Sequence, residues 1–126
     1  MQAIRVLLVD DEPMFLEALR ALLERDGRVE IVGAAGDAVR ALELAGETSP
    51  DVALVDLALP GIDGFELTRR LRSAAPALRV VAVSGLSHER DAARALDAGA
   101  SAFLFKGGLH EEVLDAIVGD PPARLH

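Results

Sequence analysis

Three carboxylates, a hydroxyl and an ammonium carry the chemistry this chain could do. They are the adjacent Asp10 and Asp11, the isolated Asp56, Ser84 beside Gly85, and Lys106. Lys106 is the single lysine among 13 basic residues; the rest are arginine. Carboxylates gathered within a few ångströms repel, and one is driven toward protonation unless a cation intervenes. A hard divalent ion with oxygen ligands relieves that repulsion, and Mg²⁺ suits the donor set. With such an ion and Lys106 counted, the group is electrically neutral. A neutral, cation-bearing pocket around a carboxylate nucleophile suits phosphoryl transfer. Asp56 would attack, Mg²⁺ and Lys106 would hold the phosphoryl oxygens, and Ser84 would donate a hydrogen bond. Gly85 leaves room for the incoming group. The product, an acyl phosphate on Asp56, adds about one negative charge.

Residues so far apart in sequence need a scaffold that brings them together. Residues 52–55 are a continuous apolar run, too short for a helix and right for a strand buried on both faces; it stops at Asp56. Pro60-Gly61 and Asp63-Gly64 then impose turns before a helical pattern over residues 65–73, with Leu67 and Leu71 inward and Arg69, Arg70 and Arg72 outward. Residues 4–9 form a similar run, ended by Asp10-Asp11-Glu12. Pro13 suits the first turn of a helix, where Phe15, Leu16, Leu19, Leu22 and Leu23 share a face and Asp26-Gly27 closes it. Residues 29–35 read as a strand. A helix opening at Gly36-Asp37, with Val39, Leu42 and Leu44 inward, ends near Gly46. Residues 79–83 form a fourth strand ending at Ser84-Gly85, and residues 88–98 a helix closed by Gly99. Residues 102–105 form a short fifth strand ending at Lys106-Gly107-Gly108, and residues 111–118 a last amphipathic helix.

Five such strand–helix units with right-handed crossovers make a doubly wound α/β fold, a five-stranded parallel sheet in the flavodoxin-like order 2-1-3-4-5 with helices on both faces. The second strand ends in Ala34-Ala35, contributes no polar group, and lies at an edge. The other four converge at the carboxyl edge, where ligands bind in such sheets. Asp56 is expected to be open to solvent there.

At 126 residues the chain suits one domain with a real core, aliphatic because aromatics are only 3%. A net charge of −8 disfavours direct binding to nucleic acid or to a membrane surface. The absence of cysteine excludes disulfides and thiolate chemistry. An apolar strand beginning at residue 4 leaves no signal peptide expected, and no apolar run approaches the ~20 residues of a membrane span. The expected location is the cytoplasm.

Four segments together resemble bacterial two-component response-regulator receiver domains: Val9-Asp10-Asp11-Glu12-Pro13, residues 56–64, Val83-Ser84-Gly85, and residues 99–106. The likeness covers residues 4 to 118, and is greatest to receivers that precede a helix-turn-helix transcription domain of the LuxR type. It implies that Asp56 accepts a phosphoryl group from a histidine kinase or a small phosphodonor. It implies that Asp11, Asp56 and the backbone carbonyl of Ala58 ligate Mg²⁺, with Asp10 contributing partly through water. Lys106 would bind the phosphoryl group, and Ser84 and Phe103 match the family's switch pair. Ser84 would move toward the phosphoryl oxygen, Phe103 would turn into the vacated space, and the surface of the fourth helix, fifth strand and fifth helix would change. Phe103, lacking the hydroxyl of a tyrosine, is expected to favour a buried position at rest.

The resemblance also sets the expected partners and boundaries. They are a sensor histidine kinase, a second copy through the helix 4–strand 5–helix 5 face or through helices 1 and 5, and DNA only by way of an output domain beyond these residues. Residues 1–119 form the receiver and 120–126 a tail or linker start. The domain is not a conventional enzyme, although it assists its own phosphorylation and dephosphorylation. Two departures stand out. Gly107 replaces the proline that often follows the lysine, where the peptide bond is often cis, and Ala58 is small where longer polar side chains are common.

Blander accounts exist for several residues. Asp10-Asp11 could cap the first helix, and Asp63 reads as a turn or N-cap residue. Phe15, Phe65 and Phe105 read as packing residues, and His88 and His110 as solvated helix starts. A phosphatase of the haloacid-dehalogenase type would place its acids as Asp-x-Asp after the first strand, whereas these are adjacent and Asp56 follows the third. A flavodoxin would have a Ser/Thr/Gly-rich first loop, and this one is acidic. A stand-alone receiver, a phosphorelay intermediate, or a receiver-like module that is never phosphorylated remain the alternatives.

Overall fold

The structure is a computed structural model and describes residues 2–85, 89–108 and 111–119. Its elements in chain order are β1 (Ile4–Val9), α1 (Pro13–Leu23), β2 (Val29–Ala35), α2 (Ala38–Thr48), β3 (Val52–Asp56), α3 (Gly64–Ala74), β4 (Arg79–Ser84), α4 (Glu89–Asp97), β5 (Ala102–Phe105) and α5 (Glu111–Val118), with a 3₁₀ turn at Lys106–Gly108. All pairings are parallel, in the order β2-β1-β3-β4-β5. The doubly wound fold is the one the apolar runs predict. Residues 86–88, 109–110 and 120–126, with His88, His110 and the Pro121-Pro122 tail, lie outside the described residues.

Because side chains alternate along a strand, each central strand feeds two cores. Leu7, Val9, Ala53, Val55 and Val80 pack against α2 and α3 through Ala38, Ala41, Leu44, Leu67 and Leu71. Val6, Leu8, Val52, Leu54 and Val81 pack against α1 and α5 through Leu19, Leu23, Val113, Ala116 and Ile117. A third cluster of Leu57, Phe65, Ala82, Ala95, Ala98 and Ala100 lies under α4. The helical crossovers make β1, β3 and β4 parallel, and so bring their carboxyl ends to one edge.

Several local details differ from the sequence reading. Val39 is 69% exposed, and the face that α2 lays on the sheet is Ala38, Ala41 and Leu44. The small side chains set the helical phase because they permit close approach; the larger valine does not. Helix α2 runs through Gly46 to Thr48 and stops at Ser49, whose φ of 47° is left-handed, before Pro50. Helix α1 ends at Leu23, ahead of Asp26-Gly27. Arg69 and Arg70 face outward, paired with Glu66. Arg72 is half-buried and donates to the carbonyls of Pro76 and Leu78, tying the end of α3 to the start of β4.

Candidate functional site

Asp10 directly follows β1, Asp56 ends β3, Ser84 ends β4 and Lys106 follows β5, so the sheet order alone carries them to one edge. Each carboxylate oxygen then has a distinct task. Asp10 Oδ1 accepts the Glu12 amide at 2.8 Å and Asp56 Oδ1 accepts the Ala58 amide at 3.0 Å, which bends the chain away from each strand. The two Oδ2 atoms are left to face Lys106, whose Nζ lies 2.9 Å from that of Asp10 and 3.3 Å from that of Asp56. Glycine at position 64 completes the corner. A Cβ there would lie 2.7 Å from the Asp56 carbonyl oxygen, so only glycine lets α3 start against the end of β3.

Among the described residues, Asp10, Asp11 and Asp56 each offer a carboxylate oxygen, and the three oxygens lie within 4.8 Å of one another. Asp10 is 2% and Asp56 3% exposed, whereas Asp11 is open to solvent. Burial pushes the Asp10 carboxyl above the usual carboxylate range and the charge of Asp56 pushes the same way, against the pull of Lys106 and the Glu12 amide. Burial would depress Lys106, but its contacts with Glu12, Asp10 and Asp56 outweigh it and hold the ammonium well above the ordinary lysine range. Asp10 Oδ2 is buried without a hydrogen bond and has only the ion pair with Lys106. An under-satisfied buried oxygen in an all-oxygen, trianionic cluster fits a hard divalent cation.

The remaining expected site residues fall as follows. Ser84 is buried at the end of β4, and the space that a Cβ on Gly85 would enter is open. Ala58 touches Asp56 through its amide. Phe103 is half-buried and packs on the cluster beneath α4. No peptide bond among the described residues is cis, so Lys106–Gly107 is trans. Asp63 caps α3 by accepting the Glu66 amide at 2.8 Å, while the side chain of Glu12, the residue before α1, makes no cap.

Two expectations need correction. Asp56 is buried, because Leu57 continues the ladder by donating to Val83 O at 2.9 Å and Lys106 lies against the carboxylate. Phe105 is 41% exposed, since it ends an edge strand. Its ring lies over Gly107, where a Cβ would come within 2.5 Å of Phe105 Cε2. Sequence reasoning also missed two neighbours of Lys106. Glu12 pairs with Nζ, and the Phe15 ring centroid lies 4.4 Å from it. The signal for Glu12 was its place in the acidic run after β1; nothing local marked Phe15 as more than packing.

Comparison with known proteins agrees with this geometry. Residues 6–118 match the family described as response regulator receiver domain. The chain is 36% identical over 117 residues to the probable transcriptional regulatory protein NarL of Mycobacterium tuberculosis, covering 93% of this chain and 54% of that protein. It is 47% identical over 98 residues to a protein-glutamate methylesterase/protein-glutamine glutaminase of Myxococcus xanthus, covering 77% of this chain and 28% of that protein. Among solved structures, a LuxR-family two-component response regulator from Aurantimonas superposes with a TM-score of 0.89 at 35% identity, covering 97% of this chain and 87% of that one.

The chain therefore belongs to the receiver domains of two-component response regulators, and its relatives include regulators of the NarL and LuxR type. The chain spans about half the length of the regulator it matches and a smaller share of the methylesterase. No helix among the described residues is long and apolar enough to cross a membrane.

Proposed function

We propose that the domain is a phosphorylation-driven switch whose phosphoacceptor is Asp56. The observation that carries this reading is the pairing of Asp56 Oδ2 with Lys106 Nζ at 3.3 Å, inside a cluster of three carboxylates. Asp56 Oδ2 attacks the phosphorus of a phosphohistidine or a small acyl phosphate, and the donor leaves with the electron pair of the broken bond. Lys106 turns from the carboxylates to the transferred phosphoryl oxygens, where its charge offsets what develops in the transition state. Mg²⁺ held by Asp11, Asp56 and the Ala58 carbonyl, with Asp10 in support, would neutralise the acids and the phosphoryl group. Ser84 hydrogen-bonds the phosphoryl group, Gly85 leaves it room, and Phe103 turns further into the pocket under α4.

The readout is the α4–β5–α5 surface. Its exposed Leu96 and Phe105 offer apolar area for a partner or a second copy; α1 with α5 is the other candidate face. The physiological donor is a sensor histidine kinase, in the cytoplasm. Residues 1–119 make the working unit and 120–126 a tail or the start of a linker; the switch acts on transcription through an output domain that binds DNA. The domain assists its own phosphorylation and dephosphorylation without being a conventional enzyme.

Incubation with acetyl phosphate and Mg²⁺, followed by intact mass, tests the reading. The wild type should gain one HPO₃; Asp56→Asn, or the wild type with chelator, should gain none. An adduct that survives in Asp56→Asn contradicts it.

A further inference from the structure

The contact between Glu12 and Lys106 is not needed to hold a metal or to fold α1. Glu12 occupies the N-cap position, where a side-chain oxygen ordinarily accepts a first-turn amide, yet it makes no such bond. Its backbone amide is taken by Asp10 Oδ1, and its carboxylate reaches Lys106 Nζ instead. The Glu12 side chain is 63% exposed, that of Lys106 14% and that of Asp56 4%. Glu12 therefore approaches from the solvent side while Asp10 and Asp56 hold the ammonium from below. Phe15 lies against the ammonium at 4.4 Å. The ammonium donates hydrogen bonds to Glu12 and Asp56 and forms an ion pair with Asp10.

We infer that Glu12 is a positioning residue that restrains phosphorylation by holding Lys106 across the mouth of the site. This rests on Asp56 being the phosphoacceptor. A dianionic donor approaching Asp56 meets the negative carboxylate of Glu12 first. It must then draw Lys106 away from that carboxylate before the ammonium can serve the phosphoryl oxygens. In the step itself Asp56 Oδ2 bonds to phosphorus, the P–O bond to acetate breaks, and acetate leaves with the electron pair. Glu12 takes no part in the bonds made or broken. Its effect is on how readily Lys106 is released and on the field the donor crosses, both of which weaken as salt screens the charges.

The test is the rate of HPO₃ gain from acetyl phosphate, at saturating Mg²⁺, for wild type, Glu12→Gln and Glu17→Gln. Glu17 is exposed on α1, so its substitution changes the net charge equally. Glu12→Gln should react about three- to tenfold faster at low salt, with the gap narrowing in high salt, and Glu17→Gln should match the wild type. Affinity for beryllofluoride, a phosphoryl mimic, should rise by a similar factor in Glu12→Gln alone. An equal or slower rate in Glu12→Gln overturns the inference while leaving Asp56 as phosphoacceptor. Equal acceleration in both variants overturns it too, since net charge would then suffice. No adduct in the wild type removes this inference together with the reading it rests on.

Discussion

Lys106 Nζ lies 2.9 Å from Asp10 Oδ2, joining the ends of β5 and β1, which no backbone pairing connects. β3 and β4 stand between them in the sheet, so this ion pair and its companion to Asp56 span the carboxyl edge from β5 to β1. The same contacts that suit phosphoryl chemistry thus also link strands that the sheet does not pair.

Removing the ammonium leaves two buried carboxylates facing each other. Lys106→Ala should lose about 2–4 kcal/mol of stability at neutral pH in chelator, measured by urea denaturation. Saturating Mg²⁺ should restore part of it, because the ion supplies the missing positive charge. A loss that Mg²⁺ leaves untouched would argue that the acids do not share a cation.

Two carboxylates respond to pH with opposite sign. Asp10 is held above its ordinary 3.8 by burial, so its ionisation opposes folding: the advantage of the neutral form is full below that value and disappears as pH rises through the folded pKa. Asp26 is lowered to about 2 by Arg28, so its contribution is present above 3.8 and disappears as pH falls toward 2. In chelator, Asp10→Asn should be more stable than the wild type at pH 7, and Asp26→Asn should lose the acid-side decline between pH 4 and about 2 that Arg28 produces. Urea midpoints at pH 7 check the first, and midpoints from pH 4 to about 2 check the second.

Gly64→Ala places a methyl group 2.7 Å from the Asp56 carbonyl oxygen. The start of α3 must move away from β3, at a cost of about 1–3 kcal/mol in thermal or urea unfolding. Because the displaced backbone carries Asp56, acceptance of HPO₃ should fall as well.

Phe105 and Gly107 should be coupled. Gly107→Ala is expected to destabilise the wild type by about 1 kcal/mol or more, and to be nearly neutral in a Phe105→Ala background, where the ring that would meet the new methyl group is gone. A double-mutant cycle measures the difference; simple additivity would refute the contact.

The sheet and most of the site were legible because one physical fact serves both. A strand buried on two faces reads as an unbroken apolar run, and the polar residue that ends it marks the carboxyl edge; Val9-Asp10, Val55-Asp56 and Val83-Ser84 are such junctions. Contacts set by tertiary reach were not legible. The carboxylate of Glu12 meets an ammonium 94 positions away, and no local pattern encodes that meeting. Val39 faces solvent because close helix-to-sheet packing favours the small Ala38 and Ala41, a preference that hydrophobic size does not reveal. The half-buried Arg72 looked like its exposed neighbours Arg69 and Arg70, because a carbonyl partner in the following turn leaves no mark on charge patterning. The burial of Asp56 follows from Lys106 covering it, which the end of a strand does not reveal.

The most direct measurement locates the modification. Phosphorylated protein is reduced with borohydride, which converts an aspartyl phosphate to homoserine, and is then mapped by peptide sequencing. The account predicts homoserine at position 56 and at no other aspartate. Homoserine at Asp10 or Asp11, or a phosphoryl group recovered elsewhere with Asp56 intact, would contradict it.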